Sequence, residues 1–563
     1  MENYFLFFLK ILITANIYYI IGNVINKCIK INNNNFYLIT ITGIIYTGFI
    51  TLLINFFLPL SLTINSSIAV LFAIIFFLLK KNTITFKKNY KKFFFPAFLT
   101  FIYLIHTKEF EPDNSLYHLP ITFNLVNEKI IFGLTNLHSR LGLSSILQYL
   151  NAFNINYINN VDGLIFATPI FLSYFISLLV NEIKKKFSEK KNIEYFFLLS
   201  ILFIISIRFN RYNGFGNDAL AHITFFLIIY TILLKEKIID IFKDNKLNIL
   251  IVFLVLQKIF FLFLLLIPFF NLILLRFEKK KSNKFRLNFF FDSRLFCLIF
   301  LILWMIKNLF ISGCFFYPIH NTCLKTVEWN SENSHRSSPK ILTLEGEAWA
   351  KNWNKYEGDL KMSEYVNRGN WFPTWKSDHL NIVKSKLIVI IAASFLLFII
   401  NIIISKNKIF NNLIANFKNV FSNSKYLSIF LISSLGTILW FIKFPIFRYG
   451  SSFVLTVLIL FTLPFILNLK ISKKLNSIII VFIISIILLK NTFRIIQDFS
   501  LNKQLVNRIK LSNFYERKIN NQSFYFHDYA CGFNKTLCTS YSDQLDQITF
   551  KNYFNYKVII IKQ

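Results

Sequence analysis

Residues 247–276 read LNILIVFLVLQKIFFLFLLLIPFFNLILLR. At about 1.5 Å per residue this apolar run overshoots a hydrocarbon layer roughly 30 Å thick, yet it is short for two full crossings. Gln257 and Lys258 interrupt it near the middle. Its flanks are basic on both sides: Lys235, Lys237, Lys243 and Lys246 before it, Arg276, Lys279, Lys280, Lys281, Lys284 and Arg286 after it. Basic loops collect on the cytoplasmic side of a polytopic protein. Both flanks then share one side, and the run must turn back on itself as two short helices meeting at Gln257 and Lys258. A single tilted helix is the alternative, and it would put one basic loop outside.

Composition extends the same reading to the whole chain. It has 563 residues, is 55% hydrophobic, and contains 70 Phe against 15 Gly and 11 Pro, more apolar surface than a soluble globule buries. The apolar residues gather in blocks of membrane-crossing length, which excludes a soluble enzyme, a disordered chain and a small disulfide scaffold. Met1–Asn26 carries one basic residue inside an apolar run and no small-residue cleavage site, so it reads as a retained helix. The net charge of +34 sits in short clusters between blocks, such as Lys80–Lys92 and Lys184–Lys191, as expected for loops facing anionic headgroups and not for a nucleic-acid surface.

Taking every basic loop as cytoplasmic gives an all-α polytopic membrane protein of about 14 crossings with both termini outside. The organisation expected is N-terminal helices over 1–92, a core over 93–312 with a first external loop at 107–159, an external loop at 313–385, C-terminal helices over 386–490 and an external tail over 491–563. All eight histidines fall in or beside the external segments, and five of the seven Trp (Trp329, Trp349, Trp353, Trp371 and Trp375) lie in 313–385. Loop aromatics can stack on sugar faces and its eight acidic residues can bind hydroxyls, although a packed interfacial lid would use Trp in the same way. In an oxidising external compartment Cys314 could bond Cys323, and Cys531 could bond Cys538. The alternative is free thiols acting as small apolar groups.

The chemistry concentrates in 109–144, EFEPDNSLYHLPITFNLVNEKIIFGLTNLHSRLGLS, directly after the block 93–106. Asp113, with Glu111 and Glu109 beside it, is a candidate general base at the membrane surface. Capping of the following helix by Asp113 or Asn114 is the structural alternative. Tyr117 and His118 would line the same pocket, with His118 a further catalytic candidate, and His138 and Arg140 could reach back towards it. Cations at the external ends of helices could hold a phosphate. Lys258 lies at the apex of the helix pair, where snorkelling is its alternative. Arg448 follows Pro445 at a helix end, where a headgroup anchor is the alternative. Arg208 and Arg211 precede NGFGND, which opens a helix with Asp218 and His222 on one side, or serves merely as a cap with a surface histidine. Lys307 could pair with a buried acid or reach the interface.

A carboxylate in the first external loop of a multi-pass core resembles the GT-C class of membrane glycosyltransferases. The segments DNSLYH (113–118), GLTNLHSRLG (133–142), KIFF (258–261), ISGCFFYP (311–318), FPIFRYG (444–450) and LCTSY (537–541) are similar to an uncharacterised family of bacterial multi-pass proteins related to that class. The chain departs from that pattern at Ser115, where Gly is usual, and at Phe260, where Ser is. The resemblance implies a seven-helix module over 93–312, a polyprenyl-phosphate-linked sugar as donor, an external glycan, lipid or protein as acceptor, and Asp113 as base, in the bacterial inner membrane. It leaves the cofactor unknown, since a divalent metal serves only some members. A surface-glycan polymerase or ligase would share the external site. A transporter would favour internal repeats and Gly- or Pro-broken helices, which the sequence lacks. A non-enzymatic assembly protein would tolerate loss of Asp113.

Overall fold

The computed structural model describes residues 4–29, 31, 35–79, 84–105, 113–207, 215–236, 238–242, 244–267, 293–330, 338–385, 387–388, 409–465, 473–499, 514–519, 522–528, 530–532, 536–541 and 546–562. Four helices come first: α1 (Tyr4–Cys28), α2 (Phe36–Asn55), α3 (Leu62–Leu79) and α4 (Ile84–Ile105). The α4 helix starts before the expected block 93–106 and takes in residues 84–92, where Lys is a good helix former. A segment of short turns follows, holding α5 (Leu119–Asn127) and α6 (Ile146–Phe153). Then come α7 (Ala167–Ser188), α8 (Asn192–Ile207), α9 (Asn217–Leu233), α10 (Ile238–Phe242), α11 (Asn245–Gln257) and α12 (Ser293–Ser312). The segment after α12 carries α13 (Pro339–Ala350) and α14 (Met362–Val366); α15 (Ile409–Phe421), α16 (Ser424–Lys443), α17 (Phe447–Thr462) and α18 (Lys473–Phe499) complete the helices. Residues 491–499, expected in the tail, continue α18.

Among the described residues, seven helices are long and apolar enough to cross a membrane. Their outward faces need a lipid solvent: α3 alone exposes Val70, Leu71, Ile74, Phe77 and Leu78. Inside the bundle α1 and α2 touch backbone to backbone. A Cβ on Gly22 would lie 2.1 Å from the Ile39 carbonyl oxygen, and one on Gly43 1.8 Å from that of Tyr18. Small residues permit such close approach where there is no hydrophobic drive between helices.

The run 247–276 breaks where Gln257 and Lys258 interrupt it, and residues 268–276 of the expected second helix lie outside the described residues. α11 ends at Gln257, Lys258 is extended, and a 3₁₀ segment Ile259–Leu266 leads away. Contacts sort helix ends into two faces. On one, Lys425 meets Glu194 at 2.8 Å, Tyr195 meets Asn476 and Lys191 approaches Glu236. On the other, Lys490 at 2.7 Å reaches the Ile207 carbonyl, and Asp218, Lys258 and Arg448 converge. The basic residues Lys184–Lys191 lie at the first face, the turns after α4 at the second.

The expectation of an all-α chain needs correction at the tail. β1 (Tyr515–Ile519), β2 (Gln522–Phe526) and β3 (Cys538–Thr539) form one sheet, with β1 and β2 antiparallel and β2 and β3 parallel. β4 (Ile548–Tyr553) and β5 (Tyr556–Ile561) form a hairpin whose two-residue turn, Phe554–Asn555, has positive φ at both positions. That turn matches the twist of the strands. β5 continues onto the turn segment: Phe132 donates to the Lys557 carbonyl and accepts from Ile559, each at 2.9 Å. The tail therefore sits on the same face as residues 113–144.

Candidate functional site

Asp113 begins a π-helical turn, Asn114–His118, that runs directly into α5. Such turns interrupt regular hydrogen bonding and are frequent at functional sites. Asp113 makes no side-chain cap, so its expected capping alternative does not hold. Its Oδ1 instead accepts from Arg140 at 3.1 Å, on a 3₁₀ segment, Ser139–Leu143. Both side chains are nearly half exposed, at 41% and 45%. This leaves the carboxylate open to a second partner. The guanidinium also lies 5.8 Å from the Tyr117 ring. Burial, followed by the charges of Asp113 and Asp218, raises the Tyr117 phenol, so it stays neutral between two carboxylates.

The second half of the site comes from three helix ends. Asp218 opens α9, Lys258 ends α11 and Arg448 opens α17. Lys258 Nζ binds Asp218 Oδ1, and Arg448 Nε lies 3.2 Å from Oδ2. One carboxylate thus faces two cations and leaves one positive charge over. Tyr449 lies beside both: the Lys258 ammonium is 3.9 Å from its ring centroid, and Arg448 donates to its hydroxyl at 3.0 Å. Both cations therefore have a protein carboxylate and a ring as partners. His222 is buried instead of lying on the surface. Its Nε2 donates to the Arg448 carbonyl at 2.7 Å and its Nδ1 pairs with Ser452 Oγ at 2.8 Å. It fixes the backbone that presents Arg448.

His118 joins the halves. Gln148 Oε1 accepts from the Ser145 amide, which turns Nε2 towards His118 Nδ1 at 2.9 Å and Asn217 Oδ1 at 3.2 Å. Burial lowers the imidazole to about 3, past the opposing pull of Asp218, with Arg140, Arg448 and Lys258 adding to the fall. Burial thus favours the neutral imidazole, whose Nδ1 is engaged by Gln148. His138 also departs from the expectation of reaching Asp113. It stacks on Tyr541 of the tail at 4.3 Å, and its Nδ1 accepts the Arg140 amide at 3.1 Å. Burial, then Arg140, pushes it down to about 3 as well.

Glu109, Glu111, Arg208, Arg211 and most of the block 386–404 lie outside the described residues. Among the described residues Lys307 pairs with no acid. It is fully buried, with Nζ 2.6 Å from Ser144 Oγ and 3.6 Å from the Trp304 ring centroid. Both cysteine pairs are bonded, Cys314 to Cys323 and Cys531 to Cys538. The second closes the tail loop from which Gly532 donates to the Ser115 carbonyl at 2.8 Å, bracing the turn that carries Asp113. Among the described residues, no three His, Cys, Asp or Glu side chains cluster to hold a metal ion.

The sequence profile of a domain of unknown function, DUF8201, matches residues 5–455. The chain belongs to the DUF8201 family. No curated protein and no solved structure matches it. The DUF8201 span contains Asp113, Arg140, Asp218, Lys258 and Arg448, and it ends before the tail that supplies Gly532 and Tyr541. In this DUF8201 chain the charged site is thus built within the family domain and braced from beyond it. Gln148, Asn217, Tyr449 and Tyr541 belong to the site without having been singled out as site residues in the sequence. The signals were thin: Gln148 reads as the end of a capping box begun by Ser145, and Tyr449 as the neighbour of Arg448.

Proposed function

We propose that the chain is a GT-C-like membrane glycosyltransferase. It moves a sugar from a polyprenyl-phosphate-linked donor to an acceptor on the external, periplasmic face of a bacterial inner membrane, which it crosses about 14 times. The observation that carries this reading is the meeting of Lys258 and Arg448 on one carboxylate, with Asp113 held nearby by Arg140. Two cations with one counterion, at the ends of apolar helices, suit a phosphate monoanion or diester at the interface. Seven long apolar helices and the gathering of basic residues at the opposite ends are in keeping with this orientation.

In the reaction, Asp113 takes the proton of an acceptor hydroxyl through the oxygen not held by Arg140. The hydroxyl oxygen forms a bond to the anomeric carbon as the bond from that carbon to the phosphate oxygen breaks, so the configuration inverts. Lys258 and Arg448 carry the charge that grows on the leaving phosphate, a form of stabilisation worth several kcal/mol in other enzymes. Arg140 orients Asp113 through its 3.1 Å contact. His222 and His118 hold the frame, one under Arg448 and the other against Gln148 and Asn217.

The test is binding of undecaprenyl phosphate to the purified chain in nanodiscs. The wild type should bind it, and Arg448→Gln and Lys258→Gln should each weaken it by roughly tenfold or more, in line with loss of a charge-assisted contact. Binding indifferent to both substitutions would overturn the assignment of the phosphate site. Transport or assembly would then become the better reading.

A further inference from the structure

Of the seven Trp residues, six are buried or half-buried and Trp349 is exposed, at 48%. It sits near the end of α13, and its indole lies 5.9 Å from the Arg448 guanidinium. Its helix is firmly held. Glu347 is buried and binds Lys351 at 2.6 Å and Lys443 at 3.3 Å, so one carboxylate ties α13 to the end of α16. Trp375 Nε1 donates to the Pro445 carbonyl at 2.8 Å and locks the same segment onto the link that leads to Arg448. Other Trp residues of the loop sit in aromatic clusters: Trp371 and Trp375 with Phe372 and with Phe441 of α16, and Trp353 with Tyr356 and Tyr365.

Trp349 takes part in neither cluster. An exposed indole on a rigid helix, beside a cation, keeps an apolar face in water that packing does not use. Glu345 lies one turn before it, four residues away, and is also exposed. An aromatic face with a carboxylate at its edge matches a pyranose, whose C–H face stacks and whose hydroxyls donate.

We propose that Trp349 and Glu345 form a sugar subsite for the pyranose carried on the phosphate that Arg448 and Lys258 hold. The sugar ring stacks on Trp349, and its hydroxyls donate to Glu345. Arg448, between Trp349 and Tyr449, then marks where the sugar ends and the phosphate begins. This subsite rests on the phosphate-site reading above and assigns the part of the ligand beyond the phosphate.

The test compares the bare lipid phosphate with its sugar conjugates. Undecaprenyl phosphate and undecaprenyl-phosphate-linked glucose, mannose and galactose are titrated into nanodiscs holding wild type, Trp349→Leu, Trp349→Phe and Glu345→Gln. Wild type should prefer at least one conjugate over undecaprenyl phosphate. Trp349→Leu should remove that preference, a loss of about threefold to tenfold for a stacked ring. Trp349→Phe should keep part of it, and Glu345→Gln should reduce it. Equal preference in wild type and Trp349→Leu, or no preference for any of the three sugars in wild type, overturns the subsite and leaves the phosphate site standing. Failure of undecaprenyl phosphate to bind at all removes both assignments. Since Trp349 is exposed, a folding defect is not expected, and an unchanged melting temperature for Trp349→Leu checks this.

Discussion

His118 and His138 are buried and neutral, and this makes stability depend on pH. In the unfolded chain an imidazole takes a proton near pH 6.5, whereas these two resist it down to about 3. Between those values the unfolded state binds more protons, so stability rises with pH across the window and is fully present above 6.5. Each histidine should contribute a slope of roughly 1.4 kcal/mol per pH unit within it. Melting of the protein in nanodiscs at pH 7.5, 6 and 5 should show a steady fall towards acid. His138→Asn keeps an acceptor for the Arg140 amide and should flatten that fall; parallel curves would contradict the assignment. Much of the charged site was legible residue by residue. Asp113, Asp218, Lys258 and Arg448 stand out because an ionisable group at the edge of an apolar run is costly and needs a reason. The roles of His118 and His138 were not legible, since burial depends on what packs above them: Gln148 from α6 and Tyr541 from the far end of the chain.

At the scale of elements, α1 and α2 depend on Gly22 and Gly43 for their contact. Gly43→Ala should force the helices apart and lower stability by about 1–3 kcal/mol, read as a drop in melting temperature with the fold retained. The tail makes a second element-scale claim. Its loop, closed by Cys531 and Cys538, meets Ser115 at the turn that carries Asp113. Cys538→Ser should raise protease cleavage within 514–562 and weaken catalysis, while undecaprenyl phosphate binding at Lys258 and Arg448 is retained. Cleavage and activity equal to the wild type would show the brace to be dispensable. Helices were easy to read from apolar runs, including the break at Gln257 and Lys258. The strands were not. Their segments are short, and on its other edge β5 bridges to Phe132, more than four hundred residues away, which no local pattern announces.

At the scale of the molecule, the proposed orientation has 113–144, 338–385 and the tail on one side of the membrane and the basic loops on the other. Single cysteines at Lys355, Lys551 and Lys185, in a chain with Cys28→Ser, test this with an impermeant maleimide. Lys355→Cys and Lys551→Cys should label in intact spheroplasts, and Lys185→Cys only after lysis. Labelling of positions 355 and 551 from opposite sides would contradict the arrangement. The clustering of basic residues was legible in the sequence, but the docking of the tail onto the first turn segment was not, because it rests on backbone hydrogen bonds such as those between Phe132 and β5. The central claim is that Asp113 is the base of a sugar transfer at this face. The most direct measurement replaces wild type by Asp113→Asn in the native host at equal membrane levels and profiles surface glycans and lipid-linked sugars by mass spectrometry. Loss of a general base typically costs about 10²–10⁴ in rate. The account predicts that one sugar disappears from a surface glycan while its lipid-linked donor accumulates. A profile identical to the wild type would contradict it.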